Sequence, residues 1–305
     1  MSDTPKSVPT SDVQLSPSEK AAVVEICRIA QRLTGVQLSE RNHSMVISRL
    51  QKRVVDLGLS GFAGYLSYFH AHTDTETAKI ISSLTTHHTY FFREFIHFEK
   101  LVNDCLPVLI PLVQKRKDKT LRVWAAACSR GQEVYSLAMF LDFHLRRLNS
   151  GIRFEILGTD IDSESVEIAK NAVYLREELK EVPLNLLGDH WVRGTGSISN
   201  YVKAKPSLTQ SARFGVLNLC EMKDSLSGEQ AYDLIFCRNV FIYFNQQQIS
   251  AITSALTERL HADGLLFLGI SESLHGLSLP VKTLGPSIYA RQTANTGVPA
   301  AVAKP

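Results

Sequence analysis

From Thr120 onward, apolar runs short enough for strands alternate with amphipathic stretches long enough for helices: "TLRVWAAAC", "EVYSLAMFLDFHLRRL", "RFEILGTDI", "DSESVEIAKNAVY", then "YDLIFCRNV", "NQQQISAITSALTERL" and "GLLFLGIS". Parallel strands need a crossover long enough to hold a helix, whereas antiparallel neighbours can be joined by two residues. The alternation therefore predicts an α/β fold, a mostly parallel sheet with helices on both faces. In such sheets ligands sit beyond the carboxyl ends of the strands. The residues just after each strand are the ones that should carry the chemistry.

Two regions break the rhythm. From about Ser16 to Glu99 the pattern is helical: Val23, Ile26, Ala30 and Leu33 fall on one face, and Met45, Val46, Leu50, Val54 and Leu57 on another. Gly58 ends the second of these helices, and "GFAGYLSYFHAH" supplies a third. Between about Tyr174 and Asn218, "HWVRGTGSISNYVKAKPSLTQSARFGVLNL" shows two-residue alternation around Gly-Thr-Gly, the mark of a β-hairpin or a three-stranded insert. The expected organisation is a disordered start (1–14), a helical domain (15–99), and a sheet domain (100–292) with a β insert at about 175–216. A disordered tail (293–305) completes it.

Composition narrows the partners. Lys and Arg number 33 against 30 Asp and Glu, a net charge of +3 that is too balanced for a protein whose main partner is nucleic acid. No run approaches the roughly 18 apolar residues of a membrane span, and "MSDTPKSVPTSD" has no apolar signal core. A cytoplasmic monomer with no membrane insertion is expected. The five cysteines, Cys27, Cys105, Cys128, Cys220 and Cys237, are odd in number and lack a C-x-x-C pair, so reduced and mostly buried thiols are expected. His87 and His88, taken as neighbours on a helix, diverge by about 100° and have no acid or Cys four residues on, so no metal is expected. His70 and His72 fail for a similar reason.

Three strand ends carry candidate ligand groups. After the first strand comes "AACSRGQE", whose small side chains and Gly131 would let a ligand approach the backbone and whose Glu133 offers a carboxylate to a cation. After the second comes Asp160, where nucleotide-binding sheets place an acid for ribose hydroxyls. After a third, "FCRNVFIYF" places Arg238, Asn239 and Tyr243. Neither G-x-G-x-x-G nor G-x-x-x-x-G-K-[ST] is present, so a cofactor with a ribose but no phosphates fits best. S-adenosylmethionine has that character, with an ammonium to meet Glu133.

The segments "TTHHTYFFRE", "AACSRGQEVYSLAM", "GTDIDSESVEIAKNAVY", "RGTGSISNYVKAK", "VLNL", "YDLIFCRNVFIYF" and "GLLFLGISESL" resemble, in order and spacing, those of the CheR-type chemoreceptor glutamate methyltransferases, over about Ser16 to Arg291. The resemblance implies a Rossmann-like methyltransferase sheet behind an all-helical N-terminal domain, the two clasping the cofactor. It also implies methyl transfer from S-adenosylmethionine to side-chain glutamates of bacterial chemoreceptors, leaving S-adenosylhomocysteine. By motif position the cofactor contacts are His87, Thr89 and Arg93 from a linker-side helix, with Glu133, Asp160, Asn218, Leu219, Arg238 and Asn239. Arg93 would anchor the incoming carboxylate and Tyr243 would donate a positioning hydrogen bond. An interdomain ion pair and a packed phenol are the plainer alternatives for these two.

For receptor docking, Arg49, Lys52 and Arg53 gather on one face of the helix "ISRLQKRVV", as a solvated surface or as a contact for a glutamate-rich receptor helix. In the β insert, Arg193, Gly194 and Gly196, with Lys203 where an Arg is common, resemble a subdomain that in some family members takes a receptor C-terminal pentapeptide by strand addition. The alternative there is a lid over the cofactor cleft. The chain departs from the family pattern at His87, where Asn is usual, at "SRGQEV", which puts Arg130 near a cationic ligand, and at Asn200 and Lys203, where Gly and Arg are common. The departures at His87 and Arg130 keep a second function open, a non-catalytic cofactor-binding adaptor of receptor arrays; a methyltransferase for a receptor of a surface-sensing or pilus pathway is a third reading, which the sequence does not separate from the first.

Overall fold

The computed structural model describes residues 15–222 and 231–292, so the expected disordered segments 1–14 and 293–305 lie outside the described residues. The chain divides into two compact units, one of residues up to Leu33 with Leu38–Leu84, the other of Thr34–Gln37 with everything from Thr85.

The smaller unit is helical, with no strand among its described residues. It holds α1 (Pro17–Thr34), α2 (His43–Asp56), α3 (Phe62–Ala71) and α4 (Thr73–Leu84). Val23, Ile26 and Ala30 meet Val46, Leu50 and Val54 in a core closed by Phe62, Tyr65, Phe69 and Ile80. Glu19 accepts from the backbone N–H groups of Phe62 (2.6 Å) and Ala63 (3.1 Å), placing a carboxylate on the free amides that begin α3. Glu76 is buried in this core, paired with Arg53 and accepting from the Tyr65 hydroxyl at 3.1 Å.

The larger unit is built on a seven-stranded sheet. In chain order its elements are α5 (Ile96–Lys100), α6 (Leu106–Gln114), β1 (Thr120–Ala126), α7 (Gln132–Arg147), β2 (Arg153–Asp160) and α8 (Ser163–Asn171). Then come β3 (Val173–Leu175), α9 (Leu184–Leu187), β4 (Trp191–Arg193), β5 (Tyr201–Ala204), α10 (Pro206–Thr209), β6 (Ala212–Val216) and β7 (Tyr232–Cys237). The chain ends with α11 (Gln246–Glu258), β8 (Leu260–Leu268), β9 (Val281–Gly285) and β10 (Ile288–Arg291). The strand order is β6-β2-β1-β7-β8-β10-β9. The pairs from β6 to β8 are parallel, and β10 runs antiparallel to both its neighbours. Along β1, Val123 and Ala125 enter one core layer with Tyr135, Leu137 and Phe267, while Trp124 and Ala126 enter the other with Ile252 and Leu256 of α11. A strand buried on both faces reads as a continuous apolar run, as this one does. Because β2 lies on one side of β1 and β7 on the other, the switch point falls between β1 and β7.

The structure corrects the expected layout in three places. Residues 96–114 belong to the larger unit, where Phe98, Leu101, Leu106 and Val113 pack into its core, so the division falls at Leu84/Thr85 rather than at 99. His87, Thr89 and Arg93 lie in an irregular segment, not on a helix; Phe92 and Glu94 there take φ of 55°, which no right-handed helix accommodates. The insert is a three-stranded antiparallel sheet, β3-β5-β4, but it ends before β6, which pairs with β2 as the main sheet's edge. An edge strand with a half-exposed face alternates like a hairpin strand, hence the misassignment.

Candidate active site

Past the end of β1 the chain turns through Ala127 (φ 64°), Cys128, Ser129 (φ 50°) and Arg130 to Gly131 (φ 91°), from which α7 begins. Asp160, at the end of β2, pins this turn. Its Oδ2 accepts from the Ser129 N–H at 2.8 Å and its Oδ1 from the Asp162 N–H at 3.0 Å. Burial raises the Asp160 carboxyl above its ordinary value, and these two backbone donors pull the other way. A Cβ at Gly131 would stand 2.8 Å from Cβ of Ala169 and 2.9 Å from the Tyr174 hydroxyl. Glycine is thus favoured by the closeness of α8 and Tyr174 as well as by its positive φ. Arg130 is exposed, with its carbonyl accepting from the Tyr174 hydroxyl at 2.7 Å. The Ser129 hydroxyl is buried with no partner.

At the end of β7, Arg238 is the hub. Its side chain is 2% exposed; Nη1 donates to Glu133 Oε2 at 2.7 Å, and Nη2 donates to Glu94 Oε2 at 2.9 Å and to the Arg93 carbonyl at 2.5 Å. Asn239, at φ 58°, sends its side-chain amide to Glu94 Oε1 at 2.9 Å, and the Ile270 N–H reaches Glu94 Oε2 at 3.2 Å. Burial of Glu94 opposes its charge, but the Asn239 and Arg238 hydrogen bonds and the Arg238 charge outweigh that and hold its carboxyl below the ordinary value. Glu133 shifts the other way: burial raises it and Arg238 offsets only part. The turn carrying Asn239 is fixed from beneath by Glu272, which accepts from the N–H groups of Asn239 (2.8 Å), Phe241 (2.7 Å) and Gly269 (2.6 Å).

The remaining expected residues fall around these strand ends. His87 Nδ1 lies 3.1 Å from Ser165 Oγ, whose own proton goes to Asp162 at 2.6 Å, so the imidazole donates there. Its Nε2 is 3.6 Å from Asp162, the side chain that caps α8. Thr89 is partly buried in the same segment. Arg93 donates to the His88 carbonyl at 3.0 Å with its guanidinium 5.9 Å from the centre of the Tyr90 ring. Asn218 caps a short turn by accepting from the Cys220 N–H at 3.0 Å, Leu219 is buried beside it, and the Leu217 N–H donates to the Asp160 carbonyl at 2.9 Å. Tyr243 is partly buried, and its carbonyl accepts from the Gln37 N–H at 2.8 Å.

The expected receptor contacts lie elsewhere. In the helical unit, Arg49 donates to the Leu84 carbonyl at 2.9 Å and Arg53 serves Glu76, so both hold the unit together; Lys52 is 86% exposed beside Asp56 at 2.8 Å. In the small sheet, Arg193 and Lys203 are exposed, with Arg193 Nε 3.4 Å from the Ser199 carbonyl. Gly194 leaves room for the Ile198 carbonyl, which a Cβ would strike, and Gly196 turns the chain at φ 56°. Four cysteines are buried, Cys220 is exposed and all five are free. Among the described residues no group of three or more His, Cys, Asp or Glu could hold a metal.

Glu94 and Glu272 hold these strand ends together, and the sequence did not single them out. Each stands in a quoted motif, "TTHHTYFFRE" and "GISESL", yet nothing local shows that Glu94 meets residues 144 to 176 positions away. Two carboxylates, Glu94 and Glu133, share the one buried guanidinium of Arg238, and a third, Asp160, stands at the end of β2 on backbone donors alone. A buried hydroxyl without a partner, Ser129, lies in the same turn. That donor set fits a ligand with a sulfonium, an ammonium and ribose hydroxyls.

Sheet order, glycine turn and acid after β2 together define an S-adenosylmethionine-binding methyltransferase fold. Residues 87–289 match the family model of the CheR methyltransferase SAM-binding domain, and residues 22–85 that of the CheR methyltransferase all-alpha domain. The chain is 35% identical over 266 residues to the chemotaxis protein methyltransferase of Escherichia coli strain K12, covering 87% of this chain and 88% of that protein. It is 34% identical over 264 residues to chemotaxis protein methyltransferase 2 of Pseudomonas aeruginosa, covering 85% and 89%. A solved plantazolicin methyltransferase, BpumL with SAH, overlays at a TM-score of 0.32 with 14% identity over 82% of this chain and 60% of that one, too weakly to bear on the assignment. The chain belongs to the CheR methyltransferase family, and its cofactor is S-adenosylmethionine.

Proposed function

We propose that this protein methylates side-chain glutamates on the cytoplasmic helices of bacterial chemoreceptors, giving γ-glutamyl methyl esters. The reading rests on the chemotaxis methyltransferases it resembles and on one observation, the carboxylate-rich cluster around Arg238 at the switch point. A cytoplasmic location follows from that acceptor. Among the described residues no helix is long and apolar enough to cross a membrane.

Bound S-adenosylmethionine supplies its methyl group as an electrophile on a positively charged sulfur. A glutamate side chain with a pKa of about 4.3 is already ionised at neutral pH, so no residue of this chain need take its proton before it accepts the methyl group. The protein's task is therefore alignment rather than acid–base chemistry. Asp160 would accept ribose hydroxyls with the lone pairs its two backbone donors leave free, and Glu133 would face the ammonium. His87, Thr89, Asn218, Leu219 and Asn239 line the remainder. Arg93 anchors the acceptor carboxylate by a charge-assisted pair and Tyr243 positions it. Lys52 and the exposed Arg193 and Lys203 supply docking charge, and a receptor C-terminal peptide is the candidate partner of the small sheet. The two departures that motivated an adaptor are accommodated: Arg130 is exposed, and His87 makes polar contacts of the kind an Asn amide would make.

The test is transfer of labelled methyl from S-adenosylmethionine to receptor cytoplasmic fragments with and without their C-terminal peptides. Base-labile methanol is expected from the unmodified protein. Arg93→Ala should stay folded yet lose at least 100-fold in turnover, the loss expected when an orienting contact goes. Label recovered in a base-stable product would rule out the ester.

A further inference from the structure

The irregular segment 86–95 lies against the ends of β7 and β8, and Glu94 is one of the side chains that tie it there. Glu94 takes a hydrogen bond from Asn239 on one oxygen and from Arg238 and the Ile270 N–H on the other. The backbone on either side of Arg93 is held at φ 55°, at Phe92 and at Glu94 itself. L residues adopt that conformation rarely, so a strong fixed contact is needed to keep it. Such a contact is present, because the acceptor is ionised and one of its donors is a buried guanidinium.

The consequence extends to Glu133. Arg238 divides its donors: Nη1 goes to Glu133, Nη2 to Glu94 and the Arg93 carbonyl, and Nε has no partner. Guanidinium and carboxylate left to themselves pair in parallel, two N–H groups to two oxygens. Glu94 pulls from the other side and prevents that collapse. With Glu94 removed, the guanidinium would have Glu133 as its one charged partner and would take up both of its oxygens.

We propose that Glu94 is a positioning residue of the cofactor site: it draws Arg238 away so that Glu133 stays singly bonded and open to a cationic ligand, and it fixes the segment carrying His87, Thr89 and Arg93. The inference rests on the role assigned to Glu133 above. A carboxylate in this position acts through its charge and reach, so amide substitution preserves shape while removing the pull on Arg238.

The experiment uses the full chain with Glu94→Gln and, keeping the charge one methylene short, Glu94→Asp. Binding of S-adenosylhomocysteine is measured by calorimetry, and hydrogen–deuterium exchange of residues 86–95 is followed without ligand. Glu94→Gln should weaken binding about tenfold, the scale of one hydrogen bond to a charged group. It should also speed exchange in 86–95, with Glu94→Asp falling between it and the unmodified protein. A folded Glu94→Gln protein that binds within twofold of the unmodified one would overturn the proposal, even at a lowered melting temperature, since that is the pattern of a structural tie alone. If Glu94→Gln does not fold, Glu94→Asp is judged by the same twofold limit. Failure of the unmodified protein to bind would fell the role given to Glu133 and the charge argument with it. Unchanged exchange in 86–95, read without ligand, would remove the tie independently.

Discussion

His97 gives the larger unit a pH dependence that can be isolated. Its ring is buried at 2% exposure, edge-on to Phe267 at 5.7 Å, with neither nitrogen hydrogen-bonded and Nδ1 3.6 Å from Glu94. Burial, then the nearby Arg238 charge, lowers its pKa from 6.5 to about 4, against the pull of Glu94. Between those two values the folded protein keeps the ring neutral while the unfolded chain takes up a proton. Stability therefore rises with pH across this window: His97's contribution is complete above pH 6.5 and is lost as pH falls toward 4. From pH 7.5 to 5.0 the loss is about 2 kcal/mol, from 1.36 kcal/mol per unit and the fractional titration at pH 5. Urea unfolding followed by tryptophan fluorescence reads the larger unit alone, because both tryptophans, Trp124 and Trp191, lie in it. His97→Phe keeps a ring on Phe267 and removes the titration, so its stability should fall by about 2 kcal/mol less over that interval. His144, His190 and His261, also lowered by burial, titrate in both proteins and cancel in the difference. A difference under about 0.5 kcal/mol would mean that His97 does not bear the cost of a buried neutral imidazole.

Asp160→Ala should weaken S-adenosylhomocysteine binding by about 1–3 kcal/mol in calorimetry, since ribose hydroxyls lose an acceptor and the Ser129 and Asp162 N–H groups lose theirs; unchanged affinity would remove Asp160 from the ribose site. Gly131→Ala adds a clash with Ala169 and Tyr174 to a backbone at φ 91°, and should lower the urea midpoint by the equivalent of more than about 1 kcal/mol. In the helical unit, Arg53→Ala leaves Glu76 buried without its charge partner and should cost about 3–5 kcal/mol, read by circular dichroism. Loss of less than about 1 kcal/mol there would mean that solvent reaches Glu76.

The parallel sheet was legible because β1, β7 and much of β8 are covered on both faces, and strands in that position read as apolar runs bounded by turn residues. β6 was lost to the insert because, at the sheet's edge, it has no fully buried residue and its Ala, Phe and Val alternate with Arg and Gly as in a hairpin strand. Segment 86–95 was expected as a linker-side helix from the family resemblance; Phe91 and Phe92 are buried there, but through a chain that turns left-handed twice. Residue spacing carries no sign of φ, so no pattern analysis could have separated the two.

For the site, position was legible and partnership was not. Asp160, Glu133 and Arg238 could be placed at strand ends because topology dictates where a crevice opens. That Arg238 would be shared between two acids depends on Glu94, 144 residues earlier in the chain, reaching back across the sheet. A single sequence contains no distance between such residues. The consequence is chemical. Read singly, Glu133 is an acid awaiting a cation; with Arg238 attached, its affinity for a cation depends, under the role proposed above for Glu94, on how firmly Glu94 holds the other side. If binding at this strand end is set by that three-residue balance, substitution of any one member should change the others' effects by more than additivity allows.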